Sequence, residues 1–482
     1  MTRPGRLLRS KSQDVSRGNR VMRQAVRQKA AAPSAHNRLT KDYTTDTMAS
    51  ERQATVDLVT EIPTVAFSAR PRGNSEASID IALLVCALFL QRFSLSFGNS
   101  LMSLDVVPAV LILIYQFAAG RLVIVYDRLL SFLALGFVAT WSLWLNFKRP
   151  MLSSYSEFVL MYFLLTLSRP ATSSRYKRTL QGFQFLVLVL SFLAIAQFFA
   201  QFVLDGRQLI QFYGIVPDYL LASFSTGGVN TIIPMTEGSS LIKSNGIFLT
   251  EPSTLSQITA LGILIELLEF RRLRYLLPLV CGFLLSYSGT GLMMLLLCLP
   301  LSGLFRRGTI FYLLMTVLFV FGLWITGIVD LSVLVSRAGE FEDTRASGFA
   351  RFVGPFWLAA DSLHLASLRG LLLGNGPGTT AAFADAFWYS GGVTATWTKL
   401  LYEYGLIGSF IFVLFLATCF RQTLCPGLLL TAVVFSYVFL GGNLLSTPFL
   451  IMTIVLVTLN APEARRDRIG TKSRFHTSLI AG

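Results

Sequence analysis

The chain has 482 residues, 53% of them hydrophobic and 14% charged, with a mean hydropathy of +0.60 and a net charge of +15. Apolar runs close to the ~20 residues that carry a helix across a bilayer recur along it, which excludes an ordinary soluble globule and predicts a polytopic helical membrane protein. The positive charge does not mark a nucleic-acid binder: it sits in the first 78 residues, with 14 Lys/Arg against seven Asp/Glu, and in short loops, where it reads as topology.

Residues 1–78 lack apolar periodicity and are rich in Arg, Ser, Gln and Thr, so they predict a disordered internal tail. A secretory signal would need an apolar core that is missing; a transit peptide is a second reading, and a start at Met48 a third. Spans are predicted at 79–97 and 101–119. Each carries a charge, Arg92 and Asp105, roughly 8–10 Å below a shared outer turn at 1.5 Å per residue. Isolated ions at that depth are costly, so the two are expected to pair, with Arg92 lining an outer cavity as the functional alternative.

Further spans are predicted at 129–146, 151–167 and 180–204, the last preceded by a basic internal linker with Arg169, Arg175, Lys177 and Arg178. A polar segment, 205–250, contains Arg207 and Lys243. Spans at 251–270, 275–286, 289–304 and 309–329 follow, with Arg271, Arg272, Arg274, Arg306 and Arg307 marking internal loops. A second polar segment, 330–392, leads to spans at 393–420, 427–445 and 448–459 and to a basic internal tail, 461–482. The expectation is an all-α protein of about 12 transmembrane helices. Its transmembrane domain covers 79–460, both termini are internal, and both long loops share the outer face.

Loops of that length between spans are functional or disordered. The second holds Arg337, Arg345 and Arg351, suited to bidentate anion contacts, although Glu340, Glu342 and Asp343 beside them offer ordinary pairing. Gly374-Asn375-Gly376-Pro377-Gly378 suits a backbone nest for an anion and suits a plain turn equally well. At the end of the first loop, Thr250-Glu251-Pro252-Ser253 has the features of a helix N-terminus. Glu251, at the mouth of a bundle, is also placed to act as a base or to hold a sugar hydroxyl. Lys399, Tyr402 and Glu403 share one span, with Lys399 and Glu403 at i,i+4. His364 reads as structural. The five cysteines show no CxxC or Cys/His spacing, so neither a metal nor a disulfide is expected.

Six stretches carry a family resemblance. They are Gln91-Arg92-Phe93; Asn245-Gly246-Ile247-Phe248 leading into Glu251-Pro252-Ser253; Ser288-Gly289-Thr290-Gly291; Ser347-Gly348-Phe349-Ala350-Arg351-Phe352 with Pro355; Leu373-Gly374-Asn375-Gly376-Pro377-Gly378; and Leu400 to Gly408, with Tyr402-Glu403-Tyr404-Gly405 at its centre. In order and placement over 79–460 the chain resembles the O-antigen/exopolysaccharide polymerases of the Wzy type, relatives of the O-antigen ligases. The resemblance implies a membrane glycosyltransferase of the bacterial inner membrane, with cytoplasmic termini and periplasmic loops. It would transfer an undecaprenyl-pyrophosphate-linked glycan to a sugar hydroxyl of an incoming lipid-linked repeat unit.

The resemblance further implies no cofactor and no metal. Implied partners are the lipid-linked oligosaccharide, membrane lipid and a chain-length regulator, with no nucleic acid. The implied catalytic residues are Glu251, Arg351 and Glu403; those implied to bind substrate are Arg337, Arg345, Arg92, Lys243, Lys399, Tyr402, Gly376 and Gly378. Thr394 stands where the ligase pattern has histidine, which favours a polymerase over ligase-type transfer to another acceptor. A flippase is the remaining alternative; transporters bind near the midplane in broken helices, whereas the polar load here lies in outer loops.

Overall fold

The computed structural model describes residues 75–97, 100–148, 151–204, 232–235, 239–301, 347–365, 367–386, 395–441 and 443–462. All belong to the second of two units into which the chain divides, Ala69–Gly482. The fold is largely helical. In order come α1 (Ser75–Phe89), the strands β1 (Ser94–Phe97) and β2 (Ser100–Ser103), α2 (Val106–Ala118), β3 (Val123–Ile124), α3 (Tyr126–Leu145), α4 (Met151–Leu164), β4 (Leu167–Ala171) and α5 (Ser173–Ala200). After 232–251 follow α6 (Pro252–Ile265), extended by a π turn at Glu266–Phe270, then α7 (Leu273–Leu285) and α8 (Gly289–Leu301). The later part holds the short helices α9 (Ser347–Phe352), α10 (Gly354–Leu365), α11 (Leu368–Leu373) and α12 (Thr380–Ala386). It closes with α13 (Thr396–Arg421), α14 (Gly427–Phe439), α15 (Thr447–Thr453) and β5 (Asn460–Pro462).

The expectation of about 12 transmembrane helices is corrected. Among the described residues four helices are long and apolar enough to cross a membrane: Tyr126–Leu145, Ser173–Ala200, Pro252–Phe270 and Thr396–Arg421. Six further apolar helices have 10–17 residues, and three of them, Ala77–Phe89, Val106–Ala118 and Gly427–Phe439, stand where longer spans were expected, at 79–97, 101–119 and 427–445. Thirteen residues rise only about 20 Å, short of a hydrocarbon core of about 30 Å. Hydropathy registers apolar residues but not where a helix stops. Between α1 and α2 the alternating Ser94-Leu95-Ser96-Phe97 and Ser100-Leu101-Met102-Ser103 pair as an antiparallel hairpin, Ser94 opposite Ser103, so the first two runs are cut short. The second polar segment is likewise no plain loop, since α9 to α12 lie in it. The span expected at 309–329 lies outside the described residues, as do 205–231 and 330–346 of the two long loops.

One end of the bundle is tied by a small sheet. β3 pairs antiparallel with β4, and β4 parallel with β5, joining the start of α3, the end of α4, the start of α5 and the chain beyond α15. Arg169 lies in this sheet rather than in a solvated linker. Its buried guanidinium pairs with the buried carboxylate of Asp80 on α1, which also accepts from Thr179 Oγ1 at 2.7 Å. The pairing expected between Arg92 and Asp105 is not made. Asp105 accepts from Thr447 Oγ1 at 3.0 Å, and Arg92 donates to the carbonyl of Ile247. Each buried charge is met by hydroxyl or backbone groups from another element, as buried polar groups require.

The core of α3, α4 and α13 is aromatic: Phe158 stacks on Tyr404 at 4.8 Å and Phe412 meets Tyr162 edge-on at 5.2 Å. Tyr162 and Tyr437 share a hydroxyl hydrogen bond, and Tyr162 donates to Leu444 O at 2.8 Å. Tyrosine in a core needs such a partner for its hydroxyl.

Candidate active site at the start of α6

The approach to α6 is built on a cluster of backbone donors. The N–H groups of Asn245, Gly246 and Ile247 converge on Gln197 Oε1 of α5 at 3.1, 3.0 and 3.3 Å. This curl requires left-handed backbone at Gly246 (φ +70°) and at Ile247 (φ +67°). A β-branched residue is strained there and is held only because its neighbours over-determine it. Arg92 secures the same curl through Ile247 O, and Gln91 Oε1 accepts from Thr250 Oγ1 at 3.4 Å. Lys243, just upstream, is buried, its N–H donating to Ile233 O at 2.9 Å.

The curl delivers Glu251 as the N-cap of α6, in extended conformation (φ −140°, ψ 152°). The Glu251 carboxylate caps no helix N–H with its side chain. Its Oε2 accepts instead from Ser253 Oγ at 2.7 Å and from Arg351 Nη2, on α9, at 2.5 Å. The pair is partly exposed, 21% for Glu251 and 11% for Arg351, so it is accessible to a ligand.

Ser288-Gly289-Thr290-Gly291 supports this site from α8. Thr290 Oγ1 donates to Ser253 O at 3.2 Å, the N–H of Gly291 donates to Ser256 Oγ at 3.0 Å, and Ser256 Oγ donates to Ser288 O at 3.0 Å. A Cβ at position 291 would fall 2.3 Å from Ser256 O, so only glycine permits the approach.

A second cluster joins the glycine-rich turn to α13. The N–H of Asn375 donates to Tyr402 O at 2.9 Å and that of Gly376 to Glu403 O at 3.1 Å. These two N–H groups are therefore engaged by α13 and not turned to a ligand. Gly405 breaks the helix at φ 68°, ψ −171°, a conformation open essentially to glycine alone. A Cβ on Gly374 would lie 2.2 Å from Glu403 O, one on Gly378 2.6 Å from Ser154 Oγ. Glu403 is 1% exposed; its Oε1 accepts from Thr380 Oγ1 at 2.8 Å, and its Oε2 has no hydrogen-bond partner. Tyr402 stacks on Phe383 at 4.5 Å. Lys399 forms no ion pair with Glu403.

The structure thus gathers Glu251, Arg351 and, through Ile247, Arg92 at one place, and Tyr402, Glu403, Gly376 and Gly378 at another. Arg337 and Arg345 lie outside the described residues. Gln197 and Thr380 escaped the sequence reading, and Ser253 was read only as part of a helix start and a motif; Gln197 stands out from the sequence no more than Gln181 and Gln184 of the same helix. Among the described residues no group of three His, Cys, Asp or Glu side chains is placed to hold a metal ion.

The chain matches the WcaD colanic acid polymerase family over residues 80–461. It belongs to that family. The resemblance to Wzy-type polysaccharide polymerases holds at this level, and every motif quoted above lies within the matched residues. No curated protein matches the chain. As a WcaD-family protein it is a multi-pass membrane polymerase of polysaccharide biosynthesis, and the four long apolar helices agree with that setting.

Proposed function

We propose that this WcaD-family protein extends a polysaccharide at the periplasmic face of the inner membrane, with Glu251 and Arg351 as the transfer site. The donor is a glycan on undecaprenyl pyrophosphate, and the acceptor is a sugar hydroxyl of the next lipid-linked repeat unit. The observation that carries this reading is the Arg351–Glu251 contact at 2.5 Å, where a partly exposed cation and carboxylate from distant segments meet beside a helix start. In the transfer, the acceptor oxygen bonds to the anomeric carbon as the bond from that carbon to the pyrophosphate oxygen breaks. Undecaprenyl pyrophosphate leaves with the electron pair, and the hydroxyl proton passes to Glu251. The guanidinium of Arg351 stabilises charge growing on the leaving pyrophosphate.

The resting ion pair has a role in this scheme. An incoming pyrophosphate competes for Arg351, and as the arginine turns to it, Glu251 Oε2 is freed to accept a proton while Ser253 still orients it. Arg337 and Arg345 add cationic contacts, and Arg92 positions the curl that presents Glu251. Lys243, Lys399 and Tyr402 line the approach of the glycan, Gly376 and Gly378 shape it, and Glu403, with one unpartnered oxygen, is the second candidate carboxylate. The transmembrane domain of 79–460 performs the reaction alone, without a cofactor. The basic tails stay on the cytoplasmic side, and a chain-length regulator acts from outside the chain.

The test is the size-resolved profile of lipid-linked and surface glycan in a strain lacking the protein. Single repeat units on the carrier, without long chains, are expected. Long chains persisting on the carrier would instead mean ligase-type transfer, and repeat units held on the cytoplasmic face would mean transport.

A further inference from the structure

The end of the bundle opposite the Glu251–Arg351 pair contains a cavity that the transfer reaction does not use. Its volume is about 370 Å³, and Val125, Asp127, Arg128, Ser131, Thr418 and Arg421 are among the residues lining it, between the first turn of α3 and the last turn of α13. The unbroken α5 runs from Ser173, next to the small sheet that flanks this cavity, to Gln197 under the Glu251 curl, about 36 Å at 1.5 Å per residue.

Arg128 lies at the base, 1% exposed, without a carboxylate partner among the described residues. Its guanidinium instead gathers backbone carbonyls where three segments end: Nη1 donates to Thr458 O at 2.9 Å and to Leu165 O and Leu167 O at 3.4 Å, and Nη2 to Gln422 O at 3.2 Å. Its Nε–H has no partner. Carbonyl dipoles offset a buried cation only in part, so the site retains an attraction for an anion. Arg421 at the rim is exposed and enters no ion pair among the described residues. The first turn of α3, whose N-cap Val125 gives no side-chain cap, adds the positive end of a 20-residue helix dipole. Asp127 contributes one negative charge, which leaves two guanidinium groups and one carboxylate around the cavity.

The apolar surroundings indicate where the anion comes from. Leu130, Leu133 and Phe137, at helical spacing on α3, are exposed, as are Phe410 and Leu414 on the face of α13 that carries Thr418 and Arg421. α3 is one of the helices long enough to cross a membrane, so its first turn sits at headgroup level. We infer that this cavity binds the phosphodiester headgroup of an anionic membrane phospholipid, with Arg128 and Arg421 on the phosphate and the acyl chains along the exposed faces of α3 and α13. A singly charged phosphodiester matches the net charge around the cavity, and the acyl chains distinguish the ligand from a soluble phosphate ester. The inference is independent of the polymerase reading.

Native mass spectrometry of the detergent-purified full chain, titrated with phosphatidylglycerol or phosphatidylethanolamine, tests it. One phosphatidylglycerol is retained in preference to phosphatidylethanolamine, and Arg421→Gln lowers its retention about fivefold, the effect of one arginine near a lipid headgroup. Arg274→Gln, at another exposed arginine outside the cavity, leaves retention unchanged. Equal retention by Arg421→Gln and the unaltered protein, or no preference between the two lipids, would overturn the inference. Displacement of the lipid by millimolar glycerol 3-phosphate would overturn the assignment to a lipid. Arg421 is exposed and enters no ion pair among the described residues, so its substitution does not put folding at risk.

Discussion

Arg351 donates to Glu251 across a sequence separation of 100 residues, with 2.5 Å between Nη2 and Oε2. Both side chains are mostly shielded from water, so their attraction is stronger than that of an ordinary surface pair. Neither partner is needed to cap α6, whose start is set by Pro252 and by the curl on Gln197. A contact that the fold does not need is the expected signature of a site.

Glu251→Gln keeps the size of the side chain and removes its basicity. Loss of a positioned general base lowers rates by about 10²–10⁴-fold, and that range is expected for chain extension in membranes with equal amounts of protein. Ser253→Ala removes only the orienting donor and is expected to cost about 10–150-fold, the worth of one hydrogen bond to a charged group. Incorporation of labelled repeat units into long chains measures both. Equal activities in the two variants would mean that Ser253 and Glu251 act otherwise than as orienter and base.

Gly291→Ala places a Cβ 2.3 Å from Ser256 O, while Gly289 two residues earlier has open space. Gly291→Ala is expected to lose about 1–3 kcal/mol of stability and to weaken activity as α6 and α8 part. Gly289→Ala is expected to change neither. Thermal unfolding in detergent, read beside activity, distinguishes them; identical behaviour of the two variants would contradict the packing described for α6 and α8.

Gly405→Ala tests the joint between α13 and the glycine-rich turn. The positive φ costs about 1–3 kcal/mol, and the clash with Leu372 adds to it. Gly374→Ala strains the same joint from its other side, so the double substitution should cost less than the sum. A strictly additive loss in melting measurements would show the two strains to be independent.

Asp80→Asn leaves the guanidinium of Arg169 buried without its carboxylate. Breaking one side of such a pair costs about 3–5 kcal/mol, and Asp80→Asn with Arg169→Gln should recover part of it. Yield of folded protein from membranes reports the effect; full yield from the single variant would contradict the pairing.

The six motifs were legible because their residues are unusual for a membrane chain: glycines in tight pairs, an acid before proline, arginines beside aromatics. All six meet where the sequence alone could only align them, Glu251 with Arg351, Gly291 and, through Ile247, Arg92, and Gly374 with Gly405. What the sequence concealed was termination. Ser94-Leu95-Ser96-Phe97 is as apolar as a helix turn, but its alternation lets it pair as a strand, and the runs read as spans at 101–119 and 427–445 hold helices of 13 residues. Arg169 looked like a topological charge because its partner Asp80 lies in another helix and its sheet forms only after β5 returns. Arg92 and Asp105 were close in sequence and opposite in sign, yet each is satisfied by a group far along the chain, Ile247 and Thr447.

The most direct test of the central claim is the size profile of lipid-linked glycan in cells whose only copy carries Arg351→Gln, with membrane levels of the protein matched to the unaltered form. Single repeat units accumulating on the carrier, with long chains reduced at least about 10²-fold, is the predicted result. A normal distribution of chain lengths would remove Arg351 from the reaction and contradict the assignment of the Glu251–Arg351 pair as the transfer site.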